Sequence, residues 1–147
     1  GNDILPIAPD FLVENQVEMT GLEDLLRRSD FVSLHPDLNP TSYHLINART
    51  LSFMKLAAVL INTSRGPVVD EPALIAALQK GQIAGAALDV FEAEPLPADS
   101  PLLHMGQVML AAHNSNSSPA AWERVHRNTL KNLLEGLDIP VDPAFEF

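Results

Sequence analysis

The chain has 147 residues, 46% of them hydrophobic, enough to build one sizeable core and too apolar for general disorder. Nine Lys and Arg against 19 Asp and Glu give a net charge of −10, which opposes phosphate-backbone attraction, so nucleic acid and anionic membrane are discounted as direct ligands. Cysteine is absent, which excludes disulfides, thiolate zinc sites and thiol catalysis.

Ile4–Ile7 opens the chain as a candidate strand, demoted to an edge by its internal Pro6. Thr20 and Glu23 have the spacing of a capping box ahead of Leu22, Leu25 and Leu26, which predicts a short helix ending near Ser29. Phe31–Leu34 reads as a buried strand, Asn47 as the cap of a helix through about Met54, and Ala57–Ile61 as the next strand. Asp70 caps a predicted helix carrying Leu74, Ile75 and Leu78, with Gly81 as its stop after Lys80. Ile83–Val90 follows as a strand whose Ala84, Gly85, Ala86 and Ala87 suit close packing against helices.

The stretch from Phe91 to Gly106 is a long Pro-rich loop, and loops of that length in compact domains are often functional. Val108–Ala112 is the last predicted strand. Ser118-Pro119 then pairs an N-cap with proline at the first helical position. That helix carries Trp122, expected in the core, with Val125, Thr129, Leu133 and Leu137, and ends at Pro140 and Pro143. Strands alternating with helices predict a parallel α/β sheet and one domain. No signal core or membrane-length apolar run is present, so a soluble cytoplasmic protein is the expectation.

Three polar residues end successive apolar runs: Arg65, Glu94 and His113. In a parallel sheet the carboxyl ends of the strands share one edge, so these three can converge there. Arginine offers a planar fork of donors for a carboxylate, histidine passes a proton near neutral pH, and a carboxylate orients and charges the histidine. That set suits a 2-oxo or 2-hydroxy acid. The competing reading of Arg65 is a surface cation paired with Asp70 or Glu71, that of Glu94 a solvated loop acid beside Glu92, and that of His113 a satisfied structural residue. His44 reads as part of a helix approach, His104 as a loop residue and His126 as helix surface. None of the histidines pairs with carboxylates at metal-ligand spacing, so no metal site is expected.

The wording around these residues is specific. Asn62-Thr63-Ser64-Arg65-Gly66-Pro67-Val68-Val69-Asp70-Glu71, then Gly85 to Pro95, then Ala112-His113-Asn114, resemble the NAD-dependent D-2-hydroxyacid dehydrogenases. Ser29 to His35 and Leu45-Ile46-Asn47 resemble the same family, so the likeness runs from about Leu22 to Gly136. The resemblance implies part of a Rossmann-type doubly wound sheet of three layers and hydride transfer between NAD(H) and a small 2-oxo or 2-hydroxy acid. Phosphoglycerate dehydrogenases and glyoxylate/hydroxypyruvate reductases share the motifs. It also implies catalytic roles for Arg65, Glu94 and His113: Arg65 on the substrate carboxylate and carbonyl, His113 as general acid and base, Glu94 as its partner. For the cofactor it implies contacts from His35, Pro36, Thr63, Ser64, Arg65, Asp89 and His113. Asp37 stands where relatives usually carry proline. Asn114 to Ser118 either line the nicotinamide side or serve as loop and N-cap. NAD is favoured over NADP, because no arginine precedes Arg27 to receive a 2′-phosphate.

The family's G-x-G-x-x-G turn, whose amides hold the pyrophosphate, has no counterpart among the seven glycines. The chain is therefore expected to be the later part of an NAD-binding domain, residues 1–147, without the substrate-binding domain, inactive in isolation and prone to homodimerise. Two rivals stay open: an NAD-responsive corepressor-like interaction protein, and a catalytically inactive truncated fragment.

Overall fold

The computed structural model describes residues 1–140, which divide into two units after His113. In the first unit four short parallel strands lie in sequential order: β1 (Phe31–Leu34), β2 (Val59–Asn62), β3 (Gly85–Leu88) and β4 (Val108–Leu110). Each new strand adds to the same edge, which is how one half of a doubly wound sheet grows. The register sets Leu34, Asn62, Leu88 and Leu110 level across the sheet. The residues that follow these four therefore emerge together at the carboxyl edge.

Four helices accompany the strands: α1 (Pro9–Glu14), α2 (Leu22–Arg28), α3 (Ala48–Leu51) and α4 (Glu71–Gln79). Asn47 caps α3 by accepting from the Arg49 and Thr50 amides, and the Thr50 hydroxyl oxygen accepts in turn from the Asn47 amide. Asp70 caps α4 through the Ala73 amide, and Gly81, with φ of +63°, stops it. Leu26, Leu51, Leu74, Ala77 and Leu78 of α2, α3 and α4 pack against Val32, Leu34, Leu60, Ala86 and Leu88 in one core. On the opposite face of the sheet the edge-strand residues Phe31 and Met109 are 70% and 73% exposed.

Several sequence expectations shift. Ile4–Ile7 forms no strand; Pro6 lacks an amide donor, Ile4 and Leu5 are exposed, and α1 begins at Pro9 instead. The cap of α2 is Gly21, and Glu23 pairs with Arg27 and Arg49 rather than closing a box with Thr20. Only Val32 and Leu34 of β1 are buried. Helix α3 stops at Leu51, β2 starts two residues after Ala57, β3 occupies only the middle of its predicted run and β4 only the first three residues of its own, because ladder pairing ends before apolarity does. A short 3-10 turn, Pro101–His104, interrupts the long loop.

The second unit carries α5 (Pro119–Gly136), capped by the Ser118 hydroxyl on the Ala121 amide. The helix ends at Gly136, before Pro140, and Pro143 lies outside the described residues. Trp122 is not a core residue: it is 52% exposed, 5.4 Å from the His126 ring, on a helix with no buried residue. No described helix is long and apolar enough to cross a membrane.

Candidate active site

The carboxyl edge begins with β2. Asn62, its last residue, is 1% exposed, and its side chain spends its polar atoms on the next turn. Its Oδ1 accepts from the Ser64 amide at 3.0 Å and from the Ser64 hydroxyl at 2.8 Å, and its Nδ2 donates to the Arg65 carbonyl at 3.0 Å. A buried amide so satisfied fixes the backbone of Thr63, Ser64 and Arg65. The Arg65 guanidinium makes one bond among the described residues, from Nη1 to the Ser64 carbonyl at 2.7 Å, and is otherwise exposed. It pairs with neither Asp70 nor Glu71: Asp70 caps α4, and Glu71 faces Glu92.

After Arg65 the chain passes so close to the next loop that only glycine fits. A Cβ on Gly66 would sit 1.8 Å from the Phe91 carbonyl oxygen and 2.6 Å from the Glu92 nitrogen. This contact seats the arginine turn against the loop that follows β3. Asp89 at the start of that loop is buried, and its amide donates to the Asn62 carbonyl at 3.0 Å.

Glu94 lies five residues on, ahead of a cis bond to Pro95. One carboxylate oxygen accepts from the Phe91 amide at 3.0 Å and the other meets His113 Nδ1 at 2.8 Å. The imidazole bond, with the Phe91 amide second, holds the Glu94 carboxyl below its usual range. His113 reaches it from beyond β4 with φ of +53°, a left-handed conformation that costs a non-glycine residue about 1–2 kcal/mol. Such strain tends to be kept at functional positions. His113 Nε2 has no bond among the described residues, so an imidazole held at Nδ1 presents its other nitrogen outward.

A groove of about 440 Å³ runs beside the arginine turn, lined by His35, Pro36, Asp37, Leu38, Thr63, Ser64 and Arg65. It gathers the expected cofactor residues that follow β1 and β2. Asp89 and His113 lie at the ends of the next two strands and do not line it. Glu94 and His113 are bonded to each other, while Arg65 shares their edge without touching either among the described residues.

Four contributors were not singled out from the sequence: Asn62, His44, Glu71 and Glu92. Asn62 could have been noticed as an amide closing an apolar run. His44 sits where expected, ahead of α3, but its Nε2 bonds Glu92 Oε1, and the Glu71 and Glu92 carboxylates each accept the other's backbone amide. Nothing in the local wording signals those long-range bonds. No group of His, Cys, Asp and Glu among the described residues has the arrangement of a metal site.

A family model, D-isomer specific 2-hydroxyacid dehydrogenase, NAD binding domain, matches residues 6–115. The chain belongs to that family. Within this family of NAD-binding domains, a glyoxylate reductase of Korarchaeum cryptofilum is 50% identical over 125 residues, 85% of this chain and 38% of that protein. A glyoxylate/hydroxypyruvate reductase B of Escherichia coli is 46% identical over 121 residues, 82% of this chain and 37% of its own length. Among solved structures, the holo form of Rhodotorula graminis D-mandelate dehydrogenase superposes with a TM-score of 0.83 at 34% identity, over 90% of this chain and 39% of that one. The chain thus spans about 38% of the first of these curated relatives. The parallel α/β sheet is the Rossmann-type architecture of these dehydrogenases.

Proposed function

We propose that this chain supplies the proton relay and the carboxylate-binding arginine of an NAD-dependent D-2-hydroxyacid dehydrogenase that reduces small 2-oxo acids such as glyoxylate or hydroxypyruvate. The observation that carries this reading is the Glu94–His113 bond at the same strand edge as Arg65. A histidine bonded through Nδ1 to a carboxylate has its tautomer and direction fixed, leaving Nε2–H to donate to a substrate oxygen.

The polar lining of the groove fits part of a dinucleotide: His35, Thr63, Ser64 and Arg65 offer donors, and Pro36 and Leu38 offer apolar surface. When bound, NADH supplies the hydride. The chain's own residues do the rest. Arg65, with most of its donors uncommitted, takes the substrate carboxylate in a bidentate grip and orients the neighbouring carbonyl. His113 Nε2 gives its proton to the carbonyl oxygen as the carbonyl carbon gains the hydride, and Glu94 stabilises the charged imidazole before that transfer. Oxidation runs the same proton back to His113. Asn62 sets the arginine turn, and Asp89 at the next strand end belongs to the nicotinamide side.

The exposed apolar side chains of Phe31 and Met109 favour self-association, so a homodimer is part of the proposal. Action in the cytoplasm is also proposed. The test is a chimera in which residues 31–113 replace the matching stretch of the Korarchaeum glyoxylate reductase. NADH-dependent reduction of glyoxylate that depends on His113 supports the reading. A folded chimera that binds NADH yet turns over equally well with His113→Gln sinks it.

A further inference from the structure

The loop that carries Glu94 is held from two sides in the same manner. On one side His113, with φ of +53°, bonds Glu94. On the other His44, with φ of +49°, bonds Glu92, two residues earlier in the same loop. Two non-glycine residues in the left-handed region, each ending on a carboxylate of one turn, call for a reason, since each conformation is disfavoured by sterics.

The His44 side is tied further. The Glu92 amide donates to Glu71 Oε2 at 3.2 Å, and the Glu71 amide donates to Glu92 Oε2 at 3.3 Å. The two carboxylates thus cross over one another, and the His44 imidazole takes the remaining Glu92 oxygen. Three separate segments meet there: the turn before α3, the first residue of α4, and the loop after β3. Tyr43 stacks on the His44 ring with centroids 4.0 Å apart, which fixes the ring plane. Burial raises the Glu71 carboxyl above its usual range, so this junction is partly withdrawn from water.

We propose that His44, Glu71 and Glu92 form a positioning clamp that sets the Phe91–Glu94 turn so that the Glu94 carboxylate meets His113. The link is short. Glu92 directly follows Phe91, whose amide holds one Glu94 oxygen and whose carbonyl abuts Gly66. With Glu92 pinned, the Phe91 amide has one direction, and Glu94 has one place from which to reach Nδ1 of His113. Without the clamp the turn keeps its sequence but loses its anchor, and the bond to His113 loosens. The three act through Glu94. The inference rests on the relay reading of Glu94 and His113 for its catalytic meaning.

The experiment uses the 147-residue chain and needs no turnover: a ¹³C NMR titration of the Glu94 side-chain carboxyl, assigned by its loss in Glu94→Gln. In the unaltered chain Glu94 titrates below the ordinary glutamate range. In His44→Ala and in Glu92→Ala its titration moves up toward that range, and the more conservative Glu92→Gln, which keeps an acceptor for the Glu71 amide, restores most of the depression. Ile83→Val, a core truncation with no bond to the loop, lowers Tm and leaves Glu94 where it was. His44 sits in a partly exposed turn, so its truncation leaves a folded chain to read if Glu92→Ala unfolds. Unchanged Glu94 titration in His44→Ala alongside a lowered Tm would overturn the clamp. Failure of the relay would instead appear as turnover indifferent to His113, so the two ideas fail separately.

Discussion

Replacing Gly66 by alanine probes the contact that joins the arginine turn to the Glu94 loop. The added Cβ would stand 1.8 Å from the Phe91 carbonyl oxygen and 2.0 Å from its carbon, so one backbone must retreat by about 1.2 Å merely to reach 3.0 Å. Neither side yields cheaply: Asn62 pins the arginine turn and Phe91 is buried in the core. Overpacking of this kind costs about 1–3 kcal/mol even where side chains can adjust, and here the opposing atoms are backbone. In a chain of this length that corresponds to a fall in Tm of roughly 3–12 °C. Misplacement by about 1 Å can also cost ~100-fold in rate, so the chimera carrying Gly66→Ala should lose kcat out of proportion to its stability. Differential scanning calorimetry and the Phe91 amide resonance are the assays. Gly106→Ala, with open space around the site, serves as the control and should be neutral or slightly stabilising. An unchanged Tm and an unshifted Phe91 amide in Gly66→Ala would refute the reasoning.

Four further outcomes are expected. Arg65→Lys, which keeps charge but loses the planar fork, should raise KM for the 2-oxo acid at least ~10-fold while NADH binding holds; a KM within twofold of the unaltered chimera counts against the bidentate grip. Because the folded-state value of Glu94 lies below its ordinary one, its bond to His113 adds stability that is complete above the ordinary carboxylate range. That stability fades as pH falls through the lowered value, so Glu94→Gln should flatten the acid limb of a Tm-versus-pH curve. Glu71 has the opposite sign: its raised value means stability is lost as pH rises from the ordinary range through the raised one, and Glu71→Gln should remove that loss. Asp70→Ala deletes the α4 cap and should cost about 1 kcal/mol in chemical denaturation; an unchanged midpoint would mean that the Ala73 amide finds another acceptor.

What could be read from the sequence was local. Strand β1 appears with its expected bounds, and Asn47, Asp70 and Ser118 cap the helices predicted for them, because capping depends on residues three apart. Strand ends were less legible: Ala57 and Ala112 continue apolar runs but lie outside the ladder, since pairing is settled by the neighbouring strand. Pro6 and the exposed Ile4 show the reverse case, an apolar stretch with no strand to join. Trp122 misled because an amphipathic helix pattern states which face is apolar and not what covers it. The site divided in the same way. Glu94 and His113 were expected together and are bonded, and the Asn62 bonds to Ser64 and Arg65 are local, whereas the His44, Glu71 and Glu92 junction depends on contacts up to 48 residues apart that no motif spacing records.

The most direct test of the relay is single-turnover oxidation of NADH by glyoxylate in the chimera, compared between the unaltered protein and His113→Gln, with NADH affinity measured on both by fluorescence. Loss of a positioned general acid removes about 10²–10⁴ in rate, so the account expects a fall of that size with NADH affinity within a few-fold of the unaltered value. A rate that stays within tenfold, or a fall that follows lost NADH binding instead, would contradict the assignment of His113 as the proton donor.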